Sequence, residues 1–153
     1  MKSAAIVASA WIFLQPWAAA ELTLESSVNH DRAEFNYMMH CQGCHTPDGV
    51  GGGGVPRMKD FVGNFTRTDA GRAYLARVPG SAYSVLDDEN LAEVLNWIVL
   101  KYAGDSLPSG FVPYESREVA SYRRQPLEEV IEYRKQMLQE IAVERQEAEV
   151  MLQ

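Results

Sequence analysis

The pentapeptide Cys41-Gln42-Gly43-Cys44-His45 constrains this chain more than any other feature, because it holds both of its cysteines and one of its three histidines. Two residues between thiols permit a disulfide or a redox dithiol. The imidazole directly after the second cysteine adds a third donor. Zinc is a poor occupant, since the remaining histidines are His30 and His40 and no second Cys or His cluster exists to complete a tetrahedral set.

The N-terminus sharpens the choice. Lys2 precedes an uncharged apolar stretch from Ala4 to Leu14, and Ala18-Ala19-Ala20 follows before Glu21. A positive start, a short apolar core and a small-x-small exit mark a secretory signal over residues 1–20, with cleavage expected after Ala20. Retained, the same stretch would lie at the lower edge of a spanning helix, the one way this chain would meet a membrane. With 46% hydrophobic residues the bulk of the chain is not disordered. A net charge of −7, from 14 basic and 21 acidic residues, repels a phosphate-coated partner, so nucleic acid is not expected. In an exported protein, Cys-x-x-Cys-His is the attachment signature of haem c. Both thiols reach vinyl groups on one porphyrin edge, and the imidazole binds iron from the proximal side. The expectation is one covalent haem c, attached by Cys41 and Cys44 with His45 as the iron ligand, in the periplasm.

The flanks fit this reading. Arg32 to His40 lacks Gly and Pro, and Ala33 and Tyr37 share a helical face. After the motif, Thr46 to Gly54 is a turn-rich loop in which glycine supplies unusual backbone angles, and Pro56 ends it. Farther on, Asp87 is the expected N-cap of a second helix whose Leu91, Val94, Leu95, Ile98, Val99 and Tyr102 repeat at three and four, with Gly104 as its stop.

Residues 31–104 resemble a class I monohaem cytochrome c. The matching features are the aromatic four residues before the first cysteine (Tyr37), the small residue at Ala33, the motif itself, the Asp48-Gly49 turn, the Gly-rich loop and Pro56. The resemblance implies an all-α, cytochrome c-like fold around one haem, with Val94 and Trp97 on a second helix crossing the first. It also implies that the carbonyl beside Pro56 fixes the other ring nitrogen of His45. One element departs from the pattern. Where family members carry Met-Pro ahead of the second helix, with that Met as sixth iron ligand, this chain has Val78-Pro79. Valine cannot ligate iron. Met58 is the least unsuitable substitute, though core packing is its commoner use. Met38 and Met39 lie too near Cys41, His40 is tethered beside it, and His30 sits in a polar lead-in over 21–30. Arg72 and Arg77 are expected at haem propionates or on the surface, and Lys59 on a basic rim around the haem edge.

Residues 105–153 form a linker and helical extension. Phe111 and Tyr114 are expected to anchor an extended, Pro-punctuated link, followed by a short helix over 116–124 and a longer one starting at Pro126. Along the latter, Leu127, Ile131, Leu138, Ile141, Ala148 and Leu152 trace a stripe that Arg134 and Arg145 interrupt. The stripe would dock either on its own domain or on a partner. The functional expectation is single-electron transfer, without enzymatic catalysis, between a redox enzyme, by family analogy a periplasmic dehydrogenase, and a downstream acceptor. Two alternatives are a five-coordinate haem sensor or ligand-binding protein, and an accessory subunit docking through the tail helix.

Overall fold

The computed structural model describes residues 28–151, and side chains through residue 147. The expected signal segment and its cleavage point lie outside the described residues. Within them every regular element is helical: α1 (His30–His40), α2 (Gln42–His45), a 3₁₀ segment (Val62–Arg67), α3 (Asp69–Arg77), α4 (Pro79–Ala82), α5 (Asp88–Tyr102), a 3₁₀ turn (Gly104–Ser106), α6 (Ser116–Arg123) and α7 (Val130–Met151). Among the described residues no helix is long and apolar enough to cross a membrane.

Helix α1 starts two residues earlier than its apolar pattern suggests, because Asn29 caps it by accepting the Arg32 amide at 3.0 Å. It buries only Ala33 and Tyr37, four residues apart, and leaves Phe35, Met38 and Met39 exposed. That narrow face packs on α5, where Val94 and Val99 are fully buried and the Tyr37 and Trp97 rings lie 5.0 Å apart. Asp87 caps α5 as expected, accepting the Asn90 amide at 2.8 Å. The α1–α5 contact is fastened at its open end by Glu93, which accepts from Arg32 at 2.7 Å and from the Asn29 amide at 2.9 Å.

The segment after α5 does not stand apart from residues 31–104. Phe111 and Tyr114 are buried as expected of anchors. The Asn96 side chain exchanges two hydrogen bonds with the Tyr114 backbone, at 2.6 and 3.0 Å. Helix α6 then lies against α5, and its Arg123 donates to the carbonyls of Ala82, Ser84 and Leu86 around α4. The final helix begins at Val130, not at Pro126, which stays in the preceding link.

Its buried stripe also differs from the expected one. Leu127, Met137 and Ile141 are buried against Phe65 and Tyr74, with Val130, Tyr133 and Leu138 packed around them, whereas Ile131 is 87% exposed. Helical phase explains the shift. From Val130 the inward positions fall at 130, 134, 137 and 141, which rotates Ile131 to the outside and Arg134 to the inside. The expected stripe members Ala148 and Leu152 lie beyond the described side chains. The first half of α7 therefore docks on its own domain.

Candidate functional site

Cys41 closes α1, its amide donating to the Tyr37 carbonyl at 2.8 Å, and at once opens α2, where the amides of Cys44 and His45 return to the Cys41 carbonyl at 3.2 and 3.0 Å. One helical turn thus carries two thiols and an imidazole. Cys41 is half-buried and Cys44 exposed, and both are free thiols. Burial, then the neighbouring Cys44, pushes the Cys41 thiol up to about 11. A thiol held protonated attacks poorly, unlike the depressed thiols of disulfide exchange.

The residue leaving the turn is strained. Thr46 has φ 62° and ψ 159°, a region that glycine normally occupies and that costs a β-branched residue about 1–3 kcal/mol. Several contacts hold it there, three of them made through side chains and reaching beyond its immediate neighbour. The Tyr37 hydroxyl donates to the Thr46 carbonyl at 2.6 Å, the Thr46 hydroxyl donates to Asp48 Oδ1 at 2.6 Å, and the Gly51 amide donates to Thr46 Oγ1 at 3.2 Å. The Thr46 hydroxyl, followed by the Val50 amide, holds the Asp48 carboxyl below the usual range. Beside them the Tyr102 hydroxyl donates to the Pro47 carbonyl at 2.8 Å. Its ring lies against Gly49, whose φ of 72° and missing Cβ are both required: a Cβ there would sit 2.7 Å from Tyr102 Cδ1.

This braced turn forms one wall of a cavity of about 340 Å³, within the range of cofactor sites. Cys41, Cys44 and His45 all line it. Opposite elements supply an apolar surround: Leu91, Val94 and Ile98 from α5, Phe65 from the 3₁₀ segment, and Val78 and Pro79 at the α3–α4 junction. The structure thus gathers the three predicted site residues and the Val78-Pro79 dipeptide around one space. His45 is half-buried, and burial lowers its pKa, which favours the neutral imidazole a metal ligand must be. Its Nδ1 is buried with no hydrogen-bond partner. An orphaned buried nitrogen costs about 1–3 kcal/mol and requires an occupant or a reason. Among the described residues no three His, Cys, Asp or Glu side chains come together to hold an ion unaided.

Two expectations are corrected, the partner of His45 Nδ1 and the placement of Arg72. The contact between the carbonyl beside Pro56 and His45 is not made: His45 Nδ1 has no hydrogen-bond partner, while the carbonyls of Val55 and Pro56 face the space a side chain on Gly51 would fill. Neither Arg72 nor Arg77 lines the cavity. Arg72 is buried, paired with Glu118 at 2.8 Å, donating to the Val112 carbonyl at 2.6 Å and lying over the Tyr114 ring. Arg77 is partly exposed at the surface, one of the two places expected for it, and donates to the Gln125 carbonyl at 2.7 Å. Both fasten the C-terminal segment. Lys59 is exposed and outside the lining.

Met58 lines the cavity and packs on the α1–α5 core, while its amide donates to the Gly49 carbonyl at 2.8 Å, tying it to the loop that leaves His45. His40 also reaches the lining, His30 is exposed, and Met38 and Met39 are 54% and 61% exposed. Among the lining residues without a functional reading in the sequence are Tyr74 on α3 and Arg134 on α7. The signal for Arg134 was present as the interruption of an apolar stripe. Comparison with protein-family models, with characterised proteins and with solved structures finds no match to this chain.

Proposed function

We propose that this chain is an exported c-type cytochrome that passes single electrons between a redox enzyme and a downstream acceptor. Cys41 and Cys44 would bind one haem through thioethers, and His45 would be its proximal iron ligand. The observation that carries the proposal is the half-buried imidazole of His45, its Nδ1 without a partner, in an apolar cavity shared with both thiols. When bound, the haem iron supplies reversible one-electron chemistry. The chain contributes the rest. Tyr37, Asp48 and Tyr102 fix the turn, so the imidazole and thiols keep their mutual placement. The α5 side chains Leu91, Val94 and Ile98 exclude water, lowering the local dielectric that sets the reduction potential. An acidic surface favours a partner with a basic docking face, and a periplasmic dehydrogenase is a donor by family analogy.

The lining favours a second reading of the same centre. From Tyr74 to Ser84 the residues on the cavity wall are Tyr74, Leu75, Val78, Pro79, Gly80, Ser81 and Ser84, none with a thioether or imidazole. The one methionine on the wall, Met58, is tied to the loop that leaves His45. A site without a sixth protein ligand would bind an exogenous diatomic molecule and act as a sensor or carrier of it. Spectra of the reduced holoprotein with and without carbon monoxide decide between the readings. Absence of fast carbon monoxide binding supports electron transfer with a firmly held sixth ligand, and rapid binding supports the open site.

A further inference from the structure

The cavity has a basic group that no family pattern places there. Two arginines line it. Arg57 is bound to Asp60 at 2.7 Å, so its charge is met. Arg134, on the tail helix, takes part in none of the ion pairs among the described residues. Its neighbours three and four residues away on α7 are Val130, Ile131, Met137 and Leu138, all apolar, so no carboxylate stands at pairing distance along its own helix. It is half-buried in the inward stripe between Val130 and Met137, in the half of α7 that docks on Phe65 and Tyr74. Placing a guanidinium in an apolar stripe is costly unless an anion meets it.

Tyr74 marks where that anion would sit. It is buried, it lines the same cavity, and its ring stacks between Phe65 at 4.9 Å and Tyr133 of α7 at 6.1 Å. Burial raises the Tyr74 hydroxyl, and Arg134 opposes that rise through its charge and a side-chain hydrogen bond. Tyr74 from α3 and Arg134 from α7 line the same cavity, and the stacking of Tyr74 on Tyr133 sets the two elements side by side there. Helix α7 packs on α3 and the 3₁₀ segment, while the thiol-bearing turn packs on α1. The donor pair and the thiols belong to different walls of the cavity.

We propose that Arg134 and Tyr74 form a carboxylate-binding subsite inside the cavity, which makes the tail helix a built-in strap that holds the acidic edge of the prosthetic group. The proposal rests on the haem reading above. A porphyrin tethered through its vinyl edge at Cys41 and Cys44 presents its two propionates at the far edge. A guanidinium fork with an adjacent hydroxyl suits one of them through charge-assisted hydrogen bonds.

The test uses the full chain matured with a haem c attachment system, as wild type, R134Q, R134K and Y74F. Intact mass reports attachment. The ferric to ferrous ratio at a fixed applied potential, together with the propionate bending band in the Raman spectrum, reports the subsite. Removing the cation leaves more uncompensated negative charge near the iron, so R134Q should shift the ratio toward ferric by roughly three- to tenfold and move the propionate band. R134K should stay near wild type in the ratio, and Y74F should move the band with a smaller shift in ratio. A merely structural arginine would lower the melting temperature without moving either readout. Haem-loaded R134Q and Y74F with wild-type ratio and band would overturn the subsite and leave the haem reading standing. If R134Q does not fold, Y74F decides by the same criterion. A wild-type chain that carries no haem would overturn both.

Discussion

The hydroxyl of Tyr37 donates to the carbonyl of Thr46 at 2.6 Å, joining the helix that enters the Cys41–His45 turn to the residue that leaves it. The bond closes a bracket around the candidate site. One end is anchored in the α1–α5 core, where Tyr37 is 1% exposed, and the other holds Thr46 in its strained conformation. Tyr37→Phe keeps the ring against Trp97 and Tyr102 and removes only the donor. The expected loss is about 1–3 kcal/mol in denaturant unfolding, because the strain at Thr46 persists while one restraint is gone.

Gly49 tests the other side of the bracket. Gly49→Ala places a methyl against the Tyr102 ring at a φ of 72°, so steric and conformational costs add. A destabilisation of about 2–4 kcal/mol is expected. The milder Tyr102→Phe, which loses only the bond to the Pro47 carbonyl, should cost about 1 kcal/mol. Equal losses in the two variants, measured by urea titration, would show that the ring does not crowd Gly49.

Acid should loosen the α1–α5 contact. Burial alone would raise the Glu93 carboxyl, but its bonds to the Arg32 guanidinium and the Asn29 amide overcome that and hold it below the usual range. Its folded pKa lies under the unfolded value of about 4.3, so its contribution to stability is complete above that pH. It is lost as pH falls through the lower folded value. Glu93→Gln should therefore flatten the dependence of stability on pH below about 4.3 while lowering stability at neutral pH. Melting temperatures of the two proteins across that window give the check, and parallel curves would contradict it.

The tail offers a contrast between two residues of one helix. Met137→Ala should cost about 2–5 kcal/mol, since the side chain is buried against Phe65, Tyr74 and Ile141. Ile131→Ala should change stability by less than about 0.5 kcal/mol. The reverse ranking would mean that α7 docks through the face first suggested by its spacing.

That contrast also shows where a sequence is readable. Helix α5 was legible because its cap, apolar period and stop all agree, and Tyr37 with Ala33 marked the one buried face of α1. The motif named its own residues. Helix α3 was missed, since its apolar content is broken by Gly71, Arg72 and Arg77; the Thr68 cap, accepting the Gly71 amide at 3.0 Å, was its readable signal. Gly71 has to be glycine for a tertiary reason, because a Cβ there would collide with the Phe65 carbonyl. The stripe of α7 was misread because a proline suited to the first turn suggested a start four residues early, which put Leu127 on the helix and made its four-residue spacing to Ile131 look like one face. Arg72 was misplaced because only the fold brings it to Glu118, 46 residues away.

The most direct measurement is the intact mass and absorption spectrum of the purified chain, produced with and without a haem c attachment system, beside a Cys41→Ser, Cys44→Ser double variant. The account predicts a polypeptide heavier by one haem with a Soret band in the first case, and the bare polypeptide mass in the variant. A wild-type chain of bare mass and no Soret band, matured beside a competent attachment system, would contradict it.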